Sequence, residues 1–133
     1  RNREIRLIEQ GKKNLVCLTN TTNFFALANI EKFDEELTKI KQTALSISPE
    51  GMKAVIEGMK KRKDHSQTLK NAPIPFLFII GKHDNFIPVD MVSKIDMPPK
   101  NEVLVLENSG HIGFIEEKEK VADAVKKFAA GSF

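Results

Sequence analysis

The sequence predicts an α/β fold with a parallel sheet, and three observations support that prediction. The second half alternates short apolar runs with amphipathic segments, in the order strand, helix, strand, helix. Helical spacing dominates the first half, and both predicted strands end in glycine-containing loops that carry titratable residues. With 133 residues, 41% hydrophobic and 29% charged, the chain has the size and balance of one soluble domain.

The first half is predicted to be helical from its apolar periodicity. A short helix carries Ile5, Leu7 and Ile8 on one side, and Gly11 can end it with a left-handed C-cap. Residues 15–18 form a brief apolar run that fits either a strand or a buried helix. Apolar residues three and four apart predict a further helix over residues 30–45.

A second long helix is predicted to start at Ser48, a natural N-cap that is followed by Pro49 at the first helical position. The apolar face of this helix would consist of Met52, Val55, Ile56 and Met59. Lysine and arginine at residues 60–63 suit its C-terminal dipole, so we interpret them as a solvated helix end rather than an anion site.

The pattern changes in the second half. Residues 74–80 are a continuous apolar run before Gly81, as is typical of a strand buried on both faces of a parallel sheet. A short helix fits residues 89–95, and residues 103–106 form a second strand. A closing helix is predicted over residues 116–130.

Two strands are too few for an independent sheet, because sheets usually have about four to six strands and unpaired edges invite association. The sequence therefore predicts an incomplete sheet. We expect its other strands to come from a missing N-terminal half, a separate fragment or a second chain. The start at Arg1, within an amphipathic pattern, also suggests a cut end.

Composition disfavours several classes of partner and site. The 21 basic residues are interleaved with 18 acidic ones, and Tyr and Trp are absent, so a nucleic-acid partner is not expected. The single cysteine, Cys17, cannot form an internal disulfide, and we expect it to be a small buried hydrophobe in a reducing compartment. No apolar run could span a bilayer, so we expect a cytoplasmic protein without a membrane partner.

The two strand-end loops carry the residues with catalytic potential. The first contains Gly81 and Asp84, and the second contains Gly110 and His111. Histidine titrates near neutral pH, and a carboxylate bonded to one ring nitrogen fixes the tautomer in which the other accepts a proton. Asp84 and His111 are therefore candidates for an orienting acid and a general base.

This order of residues resembles the α/β-hydrolase superfamily. In that family a strand ending in G-x-x-D supplies the acid of a catalytic triad, and the next strand ends in a Gly-His loop that supplies the base. Gly81 with Asp84 matches the first motif and Gly110 with His111 the second, and Ile87-Pro88 follows the acid as it does in many members. The resemblance implies catalytic roles for Asp84 and His111, an ester or related acyl substrate, and no cofactor.

The resemblance also implies a division of the chain. Residues 1–70 would be a helical cap, because the stretch from Met59 to Pro75 is similar to the segment that leads from the cap of small esterase-like members back to the core. Residues 71–133 would be the C-terminal part of the hydrolase core.

The nucleophile of the family is missing from this chain. It occupies a G-x-S-x-G elbow that precedes the acid and the histidine in sequence, and no such elbow occurs here. Ser109 has the wrong spacing and lies beside the base, so we do not assign it as the nucleophile. We expect the nucleophile outside this chain, and we expect this fragment alone to be inactive.

Several alternatives stay open. A metal site of His65, His83 and His111 is conceivable, but the spacing matches no compact ligand motif, so no metal is expected. Four apolar residues of the first half could line a substrate pocket, although core packing explains them as well: Phe24, Phe25, Met52 and Met59.

Two other functions also fit the sequence. The chain could be a non-catalytic, truncated module that associates through its exposed sheet edge. It could also belong to an enzyme of the same fold with different chemistry, such as a dehalogenase, a carbon–carbon hydrolase or a perhydrolase. The identity of the nucleophile would distinguish these enzymes.

Overall fold

The computed structural model describes residues 1–92 and 94–131, which fall into two compact units. The first unit consists of residues 1–22 and 31–63. The second consists of residues 23–30 together with the described chain from residue 64 onward. The chain thus enters the second unit for eight residues, returns to the first, and then leaves it again.

The first unit is helical, as the sequence predicts. Its helices are α1 (Asn2–Glu9), α2 (Lys13–Thr22), α3 (Asp34–Ser46) and α4 (Pro49–Lys61). Helix α1 is followed by Gly11 with a φ of 75°, the predicted left-handed residue. The ambiguous run at residues 15–18 lies within α2, where Val16 and Cys17 are buried.

The core of the first unit is formed where α1, α2 and α4 meet. Ile5, Ile8, Val16 and Ile56 are buried together there, and Met52 packs against them. Each such aliphatic side chain contributes roughly 1.5–3 kcal/mol through burial.

The ends of α3 and α4 have specific caps. Ser48 precedes α4, and its Oγ accepts a hydrogen bond of 3.0 Å from Gly51 N, as expected for an N-cap. The Nζ of Lys13 donates to Leu45 O at 2.7 Å and to Ile47 O at 2.9 Å. A cation therefore satisfies carbonyls at the C-terminal end of α3, where the helix dipole favours positive charge.

The predicted helix at residues 30–45 starts later than expected. Ile30 follows a short 3₁₀ helix (Leu27–Asn29), and α3 begins at Asp34. The first turn of α3 contains three consecutive acidic residues, Asp34, Glu35 and Glu36. Acidic side chains stabilise a helix N-terminus, so this is the favoured starting point.

The second unit contains the predicted parallel strands. In chain order its elements after the 3₁₀ helix are α5 (Ser66–Lys70), β1 (Phe76–Gly81), α6 (Val89–Val92), β2 (Asn101–Leu106), α7 (Gly113–Glu116) and α8 (Lys118–Ala129). The strands run parallel, with Phe76 opposite Asn101 and Gly81 opposite Leu106. Both strands therefore end at the same edge of a two-stranded sheet, and the prediction of an incomplete sheet is confirmed.

Three details of the second unit correct the sequence predictions. Strand β1 starts at Phe76 rather than at residue 74, because Pro75 has no amide hydrogen to donate, and Phe76 N instead bonds Lys100 O at 3.0 Å. Only Ile80 and Gly81 of β1 are buried, so the expectation of a strand buried on both faces is wrong for this chain. A two-stranded sheet offers too little neighbouring structure to cover the rest.

The third correction concerns the last predicted helix. It is divided in two: Glu116 ends the short helix α7, and α8 begins at Lys118. The predicted helix at residues 89–95 is confirmed as α6 over Val89–Val92, while its residue 93 lies outside the described residues. Within residues 1–92 and 94–131, no helix combines the length and apolar character needed to cross a membrane.

Candidate active site

The structure brings Asp84 and His111 together beyond the carboxyl ends of the two strands. His111 Nδ1 lies 2.8 Å from Asp84 Oδ2. The Asp84 side chain is 7% exposed and that of His111 is 35% exposed, so the acid is covered while the ring reaches solvent. An ionised carboxylate can only accept, so Nδ1 carries the proton and Nε2 is the nitrogen left to take another.

The Asp84 carboxylate is held from its other side by the loop that follows β1. Its Oδ1 accepts hydrogen bonds from Phe86 N at 2.7 Å and from Ile87 N at 3.0 Å. Aspartate side chains favour such turns because they bond their own backbone two or three residues on. The loop that contains Asp84 therefore orients the carboxylate independently of His111.

The His111 ring is positioned by its own backbone and by two phenylalanines. His111 N donates to Phe24 O at 2.8 Å. The Phe24 ring stacks on the imidazole at a centroid distance of 5.7 Å, and the Phe86 ring meets it at 5.2 Å with a 56° tilt. These two rings also contact each other, with centroids 5.5 Å apart, and together they restrict the rotation of the imidazole away from Asp84.

The glycines of the two motifs allow the loops to pack backbone against backbone. A Cβ built at Gly81 would overlap the carbonyl of Gly110. One built at Gly110 would lie 2.6 Å from Ala26 N and 2.7 Å from Phe24 O. A side chain at Gly81 would push the loop that carries Asp84 away from the loop that carries His111 (residues 107–112, the histidine loop). A side chain at Gly110 would push the histidine loop away from residues 24–26.

Two consecutive glutamates accept hydrogen bonds from the histidine loop, and neither was predicted as part of the site. Glu116 accepts from Gly110 N at 2.7 Å. Glu117 accepts from Asn108 N at 3.0 Å and from Ser109 Oγ at 2.7 Å.

The pKa of Glu117 reflects this role. Burial alone would raise the pKa of this carboxyl, but hydrogen bonds from Lys120, Ser109 and the Asn108 amide favour its charged form. The balance lowers the pKa of Glu117 below its usual value of 4.5. Glu117 is therefore an anion that binds the loop at neutral pH.

The other sequence candidates occupy different positions. Ser109 is fully buried and its hydroxyl bonds Glu117, so it has a structural place in the loop. Phe25 is buried, as core packing predicts, whereas Phe24 contacts His111. Met52 packs in the first unit and Met59 is half-exposed.

The histidines do not form a metal site in the described part of the chain. No group of three His, Cys, Asp or Glu side chains among residues 1–92 and 94–131 is close enough to hold a metal ion. His83 bonds Ser109 O through its backbone amide at 2.9 Å, and its side chain is exposed.

A hollow of about 360 Å³ opens beside the pair. Asp84 and His111 border it, and apolar side chains of β1, α6 and the chain after His111 line the rest: Phe78, Ile80, Val92 and Phe114. Its wall thus combines the Asp84–His111 pair with a surface suited to an apolar group.

Sequence reasoning predicted the pairing of Asp84 with His111, which the structure shows, but missed the residues that hold the two side chains. Phe86, Glu116 and Glu117 have no motif that marks them. The nearest available signal was the occurrence of two acidic residues a few positions after His111, which solvent exposure explains equally well until the fold is known.

The curated proteins that this chain resembles are named esterases. It is 26% identical over 106 residues to a pimeloyl-[acyl-carrier protein] methyl ester esterase of Xanthomonas campestris, covering 79% of this chain and 40% of that protein. It is 28% identical over 97 residues to the enzyme of the same name from Klebsiella pneumoniae, covering 69% of this chain and 38% of that protein. No family model matches the chain. The chain spans about 40% of the length of the curated relatives it matches.

Solved structures show the same fold. A thermophilic esterase from Thermogutta terrifontis superposes with a TM-score of 0.87 at 22% identity, covering 98% of this chain and 50% of that protein. An enol-lactonase from Burkholderia xenovorans superposes with a TM-score of 0.85 at 16% identity, covering 96% and 49% respectively. The predicted resemblance is confirmed: this chain has the α/β-hydrolase fold, over about half the length of the solved structures that it matches.

Proposed function

We propose that this chain supplies the acid and the base of an α/β-fold hydrolase that acts on an ester or related acyl substrate. One observation carries the proposal: Asp84 Oδ2 lies 2.8 Å from His111 Nδ1, and the opposite carboxylate oxygen is held by two backbone amides. The nucleophile and the oxyanion hole belong to polypeptide outside this chain.

The chemistry follows from the geometry of the pair. Nε2 of His111 takes the proton of the nucleophile as that nucleophile attacks the substrate carbonyl, and Asp84 stabilises the imidazolium that results. The same proton then passes from Nε2 to the departing alkoxide. An attacking water repeats the sequence and releases the acid. The proton transfers use side chains and water, so the proposal includes no cofactor.

The comparisons support an ester as the substrate class. The relatives are named methyl ester esterases, and the solved structures are an esterase and an enol-lactonase. All of these names describe cleavage of a carboxylic ester bond. The apolar hollow beside His111 suits the acyl part of such a substrate.

The assignment of residues 1–70 as a cap that shapes the substrate pocket, and of residues 71–133 as the C-terminal core segment, belongs to the same proposal. So does a cytoplasmic location, which rests on the single cysteine, Cys17.

The test is ester turnover by the full-length protein that contains this segment. With p-nitrophenyl butyrate as substrate, we expect His111→Ala to lower kcat/KM about a thousandfold or more, because the nucleophile loses its base. We expect Asp84→Asn to lower kcat by a similar or larger factor, since the amide favours the wrong tautomer of His111.

His65→Ala is the matched control, because His65 is an exposed histidine of the same unit. It should turn over the ester as the wild type does. Wild-type turnover by His111→Ala would refute the proposed function.

A second function is favoured by the unpaired edge of the sheet. In the described chain β1 pairs with β2 alone, so its other edge is open to strand addition by a partner. A non-catalytic module of this kind would bind its partner through this edge and would need no nucleophile. Intact masses under denaturing conditions, followed by native size exclusion, distinguish the two functions: a single 15.0 kDa species that self-associates favours the module. A second, nucleophile-bearing species favours the hydrolase.

A further inference from the structure

Glu116 is a buried carboxylate outside the Asp84–His111 pair. It is 6% exposed, although glutamate side chains are rarely buried to this degree. Its Oε1 accepts from Ala26 N and from Asn29 Nδ2, both at 2.8 Å, and its Oε2 accepts from Gly110 N at 2.7 Å. Both oxygens are therefore engaged by N–H donors from two separate segments of the second unit.

Two of these donors lie close to His111 along the chain or through its contacts. Gly110 immediately precedes it, and Ala26 lies two residues after Phe24, whose carbonyl accepts from His111 N at 2.8 Å. The ring of the same Phe24 stacks on the imidazole. The carboxylate thus joins the segment that carries the base to the segment against which the base is packed.

The strength of this connection follows from its charge and its burial. Hydrogen bonds to an ionised acceptor are shorter and about twice as strong as neutral ones, and screening by water is weak at a buried site. A buried carboxylate that lost a donor would carry an unmet desolvation cost, so both segments are held at fixed distances. Because Gly110 lacks a Cβ, its loop lies directly on Ala26 N and Phe24 O, and a shift of one backbone moves the other.

We propose that Glu116 is a positioning residue for the general base, acting through the backbones of Gly110 and Ala26 to hold His111 against Asp84. The inference rests on the proposed hydrolase function. Glu116 itself does not touch the reacting atoms; it sets the position from which Nε2 approaches the nucleophile. Displacement of a catalytic group by about 1 Å can cost a hundredfold in rate, so a distant carboxylate of this kind can have a large kinetic effect.

The variant that tests this is Glu116→Gln in the full-length protein. Glutamine keeps the shape of the side chain but replaces one oxygen with an NH₂ group. In either orientation a donor then faces a donor, Gly110 N on one side or Ala26 N and Asn29 Nδ2 on the other. We expect kcat to fall about tenfold to a hundredfold with KM unchanged.

Glu119→Gln is the matched control, since Glu119 is exposed in the first turn of α8 and undergoes the same change of charge. It should retain the kcat and KM of the wild type.

A spectroscopic readout separates positioning from general loss of structure. The proton shared by His111 Nδ1 and Asp84 gives a downfield proton NMR resonance that depends on the distance between these atoms. It should shift or broaden in Glu116→Gln and stay in place in Glu119→Gln. If Glu116→Gln does not fold, Asn29→Ala removes one donor from Oε1, together with the bond from Asn29 to Asn108 O, and leaves the bonds from Ala26 N and Gly110 N. It should produce the same changes to a smaller degree.

The outcomes are distinguishable when His111→Ala is measured in the same assay. If that variant is inactive while folded Glu116→Gln keeps wild-type kcat, only the positioning role is overturned. Loss of kcat with an unmoved Nδ1 resonance overturns it as well, because the effect then bypasses the pair. If His111→Ala is fully active, the proposed function fails and the positioning role fails with it.

Discussion

Gly110 shows how closely individual residues constrain the site, because any side chain there would meet backbone atoms of Phe24 and Ala26 at 2.7 Å or less. We expect Gly110→Ala to lower the free energy of unfolding by about 1–3 kcal/mol, as overpacking does in tight interiors. Urea denaturation measures the change.

Gly58→Ala is the opposite case, because a Cβ at Gly58 has no atom within 4 Å and the residue lies inside α4. It should stabilise the protein by about 0.5–1 kcal/mol, since alanine loses less backbone entropy in a helix. If Gly110→Ala were as stable as the wild type, that result would contradict the close approach of Gly110 to the backbone of Phe24 and Ala26.

At this scale the sequence predicts the two residues that meet at the candidate site but not those that hold them. Asp84 and His111 stand next to glycines in recognisable loops. Glu116, by contrast, bonds Ala26, which is 90 residues away in sequence. Local patterns contain no information on contacts of that separation, and two acidic residues near a helix start are ordinary on any surface.

The start of helix α8 should be sensitive to acid. Glu117 flanks it, accepts from Asn108, Ser109 and Lys120, and has a pKa lowered below 4.5 by these bonds despite its burial. A carboxyl whose folded-state pKa is depressed contributes stability above its unfolded-state pKa, and loses that contribution as the pH falls through the folded-state value. Glu117→Gln should therefore be less stable than the wild type at pH 7.

The difference should shrink as the pH falls from about 4.5 through the lower folded-state pKa. Thermal unfolding followed by circular dichroism over this range measures it, with Glu119→Gln as the exposed comparison. A stability difference that is independent of pH would rule out the ionic contribution of Glu117.

Among the elements, length and flanking residues together decide what the sequence can predict. Helix α4 was located because it has several turns and an N-cap. The two strands were located because each contains a continuous apolar run. The apolar run at residues 15–18 was ambiguous, because four residues cannot establish a period. The equally short run at residues 103–106 was assigned to a strand because it has two valines and follows Pro98-Pro99. Helices α5 and α7 were missed because Ser66–Lys70 and Gly113–Glu116 span little more than one turn each.

For the molecule as a whole, the central feature is that residues 23–30 belong to the second unit although first-unit residues flank them on both sides. Residues 62–65 link α4 to α5 without regular structure and are exposed. We expect trypsin to cleave after Arg62 or Lys63 before it cleaves within α8. Mass spectrometry of a digestion time course identifies the first cut.

The cleaved fragments should stay together. The N-terminal fragment retains the segment at residues 23–30, which bonds His111, Glu116 and Asn108 within the second unit. Native size exclusion should therefore show one species and denaturing conditions two. Separation of the fragments in native buffer would show that residues 23–30 bind too weakly to hold them.

Sequence periodicity does not reveal such a segment, because it indicates where helices start and not which unit they join. What composition and motif order do predict is the fold class and its incompleteness. The comparison structures confirm both over about half of their length.

The two phenylalanine rings that contact His111 have a consequence for spectroscopy. Aromatic ring currents shield nuclei that lie over a ring face, and the Phe24 ring is stacked on the imidazole at an angle of 27°. The carbon-bound protons of His111 should therefore resonate upfield of those of His65 and His83, whose side chains are exposed. With three histidines in the chain, the one proposed as the base would then be identified by chemical shift alone, and its titration could be followed without a label.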